Sequence, residues 1–212
     1  MRSIEIPRSV LKRLPGYLAY LKTIPQDGSP YISATTLAHA LGMGEVQVRK
    51  DPAMVSDGGR PKIGYLRKGL IDDIEQFLGY DNTTDAVLIG AGKLGQALLG
   101  YSGFEDYGLN ILAAFDVSPT VELTEEGKPI YPMSHLADFC RINKVLMGII
   151  TVPVQYAQEV CDQLIECGIK AVWNFAPTHL EVPSNILVQN QNMATSLAVL
   201  SMHLQAQMKE KK

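Results

Sequence analysis

Three observations predict an α/β chain with a separate N-terminal head. A glycine-rich turn joins an apolar strand to a helix at 84–99, strands and helices alternate behind it, and a basic helical hairpin stands ahead of it. The expected architecture is a winged helix-turn-helix domain over 1–80, a doubly wound parallel sheet of the Rossmann type over 84–190, and a C-terminal helix over 191–212. With 212 residues, 46% of them hydrophobic, and a net charge of −3, the chain is expected to be soluble and globular. No stretch approaches the roughly 20 apolar residues that cross a bilayer. Arg2, Glu5, Pro7 and Arg8 interrupt any signal-peptide core. Cys140, Cys161 and Cys167 lack CxxC spacing and sit in apolar segments, as reduced core thiols of a cytoplasmic protein would.

Charge divides the chain. Residues 1–70 carry 11 Lys/Arg against 5 Asp/Glu, and the remainder carries 8 against 17. A basic front on an acidic body has the form of a polyanion-binding module on a body of other function, although a solvated basic face would give the same count.

In chain order, residues 7–24 place Val10, Leu11, Leu14, Tyr17, Leu18 and Leu21 at helical spacing. Pro15-Gly16 interrupts them, which predicts a kinked helix or two short ones. Residues 32–50 have the form of a helix-turn-helix. Ser33 caps the first helix, its inner face is Leu37, Ala38 and Leu41, and Gly42 makes the turn. The second helix is expected to pack through Val46 and to present Gln47, Arg49 and Lys50 to the major groove of DNA. The glycine-rich loop 56–65 follows as a wing whose Arg60 and Lys62 reach phosphate or a minor groove. Residues 69–78 form an amphipathic closing helix, and 79–84 the linker.

Next come Ala86-Val87-Leu88-Ile89 and Gly90-Ala91-Gly92-Lys93-Leu94-Gly95. In this pattern Gly90 makes the tight turn, Gly92 lets a pyrophosphate approach the backbone, and Gly95 lets helix and strand pack closely. Backbone amides at the helix start would hold the phosphates. The strand Ile111–Phe115 ends in Asp116, about 20 residues on, where an acid binds the adenosine ribose and repels a 2′-phosphate. No Arg or Lys follows in 117–120, so the expected cofactor is NAD(H).

Further on, a helix at about 134–142, a strand at 145–152, a helix from Pro153 to Cys167, a strand at 171–175 and a short strand near 186–188 continue the alternation. Thr151-Val152-Pro153 and Asn174-Phe175-Ala176-Pro177 fall just past strand ends, where ligands bind in such sheets. In the last helix Met193, Leu197, Leu200, Leu204 and Met208 make an apolar stripe, widened by Val199 and Met202. Its expected partner is a second copy of the chain, giving a homodimer on paired half-sites. No room remains for a substrate domain, and His135, His179 and His203 have no partner acid at a recognisable spacing. The chain therefore reads as a regulator with no catalytic or metal-ligating residues.

These elements, in this order, resemble the Rex family of redox-sensing transcriptional repressors. The local matches are Val46–Asp51, Gly64-Tyr65, Gly90–Gly95, Tyr101-Ser102-Gly103-Phe104, Ala114–Val117, Thr151–Pro153, Gly168–Lys170 and Asn174–Pro177, colinear over nearly the whole chain. The resemblance implies a homodimer with exchanged C-terminal helices that binds a palindromic operator when NAD⁺ prevails and releases it when NADH binds. It also implies that Tyr101, Asn192 and Met193 belong to the cofactor site. The chain departs from the family in the head and in the sensor. Relatives continue the recognition helix past Asp51 with leucine and serine, where Pro52 stands here, and the residue before a proline resists helical geometry. Relatives have an Arg-Gly step in the wing where this chain has Pro61-Lys62. They have an acid and phenylalanine at Asn192-Met193, and an arginine at Ala19. Two readings stand beside the main one: a Rex-like regulator that takes another nucleotide such as coenzyme A, and a small NAD-dependent oxidoreductase.

Overall fold

The computed structural model describes residues 6–119, 122–191 and 193–210, and the chain divides into two compact units between Asn82 and Thr83. In the first unit α1 (Arg8–Leu11) and α2 (Leu14–Thr23) are separate helices, with Pro15 in the first turn of α2, where its missing N–H costs nothing. The short strand β1 (Tyr31–Ile32) leads to α3 (Ala34–Leu41), capped by Ser33 Oγ, which accepts from the Thr36 amide at 3.0 Å. Gly42, at φ +63, ends α3, and α4 (Glu45–Lys50) follows. β2 (Tyr65–Leu66) pairs antiparallel with β1, and α5 (Arg67–Leu78) closes the unit. Its core is Val10, Leu14, Tyr17, Leu18, Leu21, Ile32, Leu37, Ala38, Val48, Leu70 and Ile74.

Two expectations about α4 are corrected. Val48 is the residue that packs into the core, whereas Val46 is 67% exposed. Helical geometry also continues through Asp51 (φ −62, ψ −54) despite Pro52, which opens a 3-10 turn over Pro52–Met54. The pre-proline preference is overridden because the buried Asp51 carboxylate is held by Arg13 and Tyr17.

In the second unit six parallel strands run in the order β5-β4-β3-β6-β7-β8. They are β3 (Thr84–Ile89), β4 (Leu109–Asp116), β5 (Ile130–Pro132), β6 (Met147–Ile150), β7 (Ala171–Asn174) and β8 (Leu187–Asn190). The three-residue β5 has no counterpart in the sequence reading, and β6 is shorter than its apolar run. Helices α7 (Leu136–Asn143) and α8 (Ala157–Glu166) contribute to one apolar cluster with Val87, Ile89, Ala113 and Phe115. α6 (Lys93–Leu99) packs through Leu99 with Ala86, Leu88, Ile111 and Ile149 in another. Successive residues of a strand face opposite sides of the sheet, so Val87 and Leu88 enter different layers. The order of the sheet reverses between β3 and β6, the switch point at which doubly wound sheets open a crevice. The last helix, α9 (Met193–Glu210), has no buried residue among its described side chains.

Candidate functional site

At the carboxyl ends of β3, β4 and β6 the chain builds a cleft of about 520 Å³. Gly90, Gly92, Asp116, Thr151, Val152 and Pro153 line it, so the glycine turn, the acid and the Thr-Val-Pro segment meet in one place. Gly90 is at φ +101, and a Cβ there would meet Val152 Cγ1 at 2.9 Å. A Cβ on Gly95 would lie 1.9 Å from the Gly90 carbonyl oxygen, so only glycine lets α6 approach the turn. At Gly92 a Cβ would meet nothing within 4 Å. The backbone at Gly92 thus borders open space, and no side chain caps α6 to occupy its first amides.

The turn is braced from three sides. Asp116 Oδ2 accepts from the Ala91 amide at 2.8 Å, and its Oδ1 from the Ser118 amide at 3.0 Å. Gln96 Nε2 donates to the Ala91 carbonyl at 2.8 Å. Thr151 Oγ1 donates to the carbonyls of Ile89 (3.0 Å) and Gly90 (2.8 Å), tying the ends of β3 and β6. Met133, Tyr156 and Val160 line the same cleft and were not foreseen from the sequence. Met133 follows the unforeseen β5, and Tyr156 lies on the 3-10 turn before α8. Lys93 and Leu94 are exposed at the start of α6.

The other described candidates of this unit do not line that cleft. Asn174 is fully buried and holds its own loop: Nδ2 donates to the carbonyls of Ala176 and Thr178 and to Asn190 Oδ1, and Oδ1 accepts from the Ala176 amide. Its polar atoms are thus engaged within the protein. Ala176 is buried and Pro177 exposed beside it. Tyr101, 56% exposed, ends a chain of ring contacts through Phe104 (4.9 Å) and Trp173 (5.6 Å) to Phe175 (4.7 Å). Met193 is exposed on α9, and Asn192 lies outside the described residues.

In the first unit Gln47, Arg49 and Lys50 are exposed on α4. The loop after it closes into a hairpin. Arg60 N donates to the Gly64 carbonyl at 2.8 Å, Gly64 N to the Arg60 carbonyl at 2.9 Å, and Arg60 and Lys62 are exposed. Lys62 is left-handed at φ +65, a conformation glycine adopts without strain, and it stands where the wing of Rex proteins has its Arg-Gly step. The base of α4 is held by a buried cluster. Arg13 Nε and Nη2 donate to the two Asp51 carboxylate oxygens at 2.7 and 2.9 Å, and Tyr17 Oη donates to Oδ2 at 2.6 Å. Burial alone would push the Asp51 carboxyl up, but the hydrogen bonds from Arg13 and Tyr17 and the guanidinium charge outweigh it and hold it below its ordinary value. Burial, then the bond to Asp51, pushes the Tyr17 phenol up to about 12.

Among the described residues no group of three or more His, Cys, Asp or Glu could hold a metal ion, and no helix is long and apolar enough to cross a membrane. The thiols of Cys140 and Cys161 are buried, which pushes each up to about 11.

Comparison with known proteins agrees with both halves of this picture. Residues 5–51 match a family described as putative DNA-binding protein N-terminus, and residues 81–178 match one described as CoA binding domain. The chain is 41% identical over 197 residues to the redox-sensing transcriptional repressor Rex of Porphyromonas gingivalis, covering 92% of this chain and 90% of that protein. It is 37% identical over 209 residues to the Rex of Carboxydothermus hydrogenoformans, covering 96% and 99%. A solved structure of RSP in complex with β-NAD⁺ and operator DNA superposes with a TM-score of 0.87 at 32% identity, covering 97% of this chain and 95% of that one. RSP in complex with β-NADH gives 0.83 at 31%, covering 99% and 100%. Identity at this level over nearly the full length of both chains shows that the protein belongs to the Rex family of redox-sensing transcriptional repressors.

Proposed function

We propose that this protein is a redox-sensing transcriptional repressor that binds operator DNA and takes NAD(H) in the cleft at the ends of β3, β4 and β6. The observation that carries the reading is the Asp116 carboxylate, which shares the cleft with the open cradle at Gly92. A carboxylate there accepts hydrogen bonds from a ribose diol, and it repels a phosphate esterified to that ribose. Gly90 to Gly95 then hold the diphosphate through backbone amides. The apolar walls of Val152, Met133, Tyr156 and Val160 suit a flat adenine ring. Thr151 and Asn174 keep the ends of β6 and β7 in place, with Val152, Pro153, Phe175, Ala176 and Pro177 as the loops they support. The family resemblance assigns Tyr101, Asn192 and Met193 to the cofactor site.

The N-terminal unit supplies the DNA contacts: Gln47, Arg49 and Lys50 in the major groove, and Arg60 and Lys62 from the wing. The apolar stripe of α9, exposed from Met193 to Met208, is covered by a second copy in an exchanged arrangement, which makes the functional unit a homodimer. A ligand shifts DNA affinity only by its differential affinity for two arrangements of that dimer. The protein regulates and does not turn over the nucleotide.

The match of residues 81–178 to a CoA-binding family supports one other reading, in which coenzyme A is the ligand. Coenzyme A shares the ADP moiety but carries a phosphate on its ribose, which Asp116 would oppose. Calorimetric titration with NADH, NAD⁺ and coenzyme A separates the two: the proposal requires NADH to bind tightest, and preferential binding of coenzyme A would overturn it.

A further inference from the structure

Residues 47 and 51 are four apart on α4 and its helical continuation, and so share a face. Arg13 stands against that face. Its Nε and Nη2 are committed to the Asp51 carboxylate, which is only 2% exposed and is also held by Tyr17. The same guanidinium reaches the exposed Gln47: with the amide oxygen turned toward it, that oxygen accepts from Nη1 at 3.1 Å and lies 2.8 Å from Nε, whose one hydrogen serves Asp51. A guanidinium has donors only, so the amide atom that faces it is the oxygen. The NH₂ group of Gln47 therefore turns away from Arg13.

This arrangement bears on how the head reads DNA, and the inference rests on the DNA-binding reading above. A free glutamine recognises adenine with one donor and one acceptor, to N7 and N6. With its oxygen turned toward Arg13, Gln47 presents the two donors of its NH₂ group on the side away from Arg13. We propose that Arg13, anchored by Asp51 and Tyr17, is a positioning residue that makes Gln47 a donor-only reader, selecting a base edge of acceptors (guanine O6 and N7, or thymine O4) over adenine or cytosine. Arg13 itself touches no base. It acts by fixing which end of its neighbour's amide faces away from it.

The test is selection from duplexes with randomised palindromic half-sites, using the full-length protein and two variants. The wild type is expected to enrich guanine or thymine over adenine by about tenfold at one half-site position. Gln47→Glu keeps an oxygen against Arg13 but presents no donor, and it is expected to move that same position to cytosine, whose N4 amine donates. Arg13→Lys keeps a cation for Asp51 while releasing the Gln47 oxygen, and it is expected to raise adenine there. Selection of adenine by the wild type at the position that responds to Gln47→Glu would overturn the proposal, as would an unchanged preference in Gln47→Glu. Failure of the wild type to enrich any duplex would overturn the DNA-binding reading instead. Should Arg13→Lys not fold, the substitution at exposed Gln47 decides alone.

Discussion

The Asp116 carboxylate accepts a hydrogen bond from the Ala91 amide at 2.8 Å, which ties the acid to the glycine turn of the proposed site although 25 residues separate them. Replacing Asp116 is expected to remove the proposed ribose acceptor and at the same time to take a partner from the Ala91 amide. Hydrogen bonds to a charged group contribute roughly 1.5–3 kcal/mol, which corresponds to about 10- to 100-fold in affinity. Asp116→Ala is expected to weaken NADH binding by that factor in calorimetry. Asp116→Asn, which keeps one acceptor oxygen, should lose less.

Two glycines of the same turn are expected to fail in different ways. Gly92 has φ −70 and open space where a Cβ would stand, so Gly92→Ala fits the fold but places a methyl in the proposed cradle. It should keep its melting temperature and lose at least about tenfold in NADH affinity. Gly95→Ala drives a methyl into the Gly90 carbonyl and should destabilise the second unit by roughly 1–3 kcal/mol. Thermal melting alongside calorimetry separates the two effects.

The cluster at the base of α4 gives the first unit a pH signature. Asp51 titrates below its ordinary value of 3.8 in the folded state, so its contribution is present above that value and is lost as pH falls below it. Tyr17 is raised from 10.0 to about 12, so its contribution is present below pH 10 and is lost as pH rises between 10 and 12. Stability is expected to fall in both windows, followed by circular dichroism. Asp51→Asn should flatten the acid limb, and it should cost roughly 3 kcal/mol at neutral pH by leaving Arg13 without its partner charge.

Redox sensing in this protein is expected to bypass its cysteines. Cys140 and Cys161 are buried with thiols pushed up to about 11, so little thiolate is present near neutrality. Alkylation of the native protein at pH 8 should modify Cys167 at most, with Cys140 and Cys161 reacting only on unfolding. Rapid modification of either buried thiol would contradict the packing described.

Charges on α9 are expected to break the dimer. Leu197→Glu with Leu204→Glu places two carboxylates on the apolar stripe, and sedimentation at micromolar concentration should then show a monomer. A dimer that persists would mean that the stripe has another partner.

Much of the second unit was legible because glycine turns and apolar runs are local signals. Gly90, Gly92, Asp116 and Thr151 converge on one cleft as the strand-end rule requires. β5 escaped because three residues carry no periodicity, and with it went Met133. The inward residue of α4 was misread as Val46 because a six-residue helix has too few turns to fix a face; Val48 is buried instead. The Arg13–Asp51 pair joins residues 38 apart, and nothing at either position marks the other. For the same reason the bond from Asn174 to Asn190 left no mark in the sequence: the two residues come together only once β7 and β8 pair.

In the proposed mechanism a dinucleotide in the β3–β4–β6 cleft sets the affinity of the basic head for DNA. Fluorescence anisotropy of a labelled palindromic operator, titrated with the protein alone, with NAD⁺ and with NADH, tests it most directly. NADH is expected to raise the operator Kd by about tenfold or more while NAD⁺ leaves binding intact. Equal Kd values in all three titrations would contradict it.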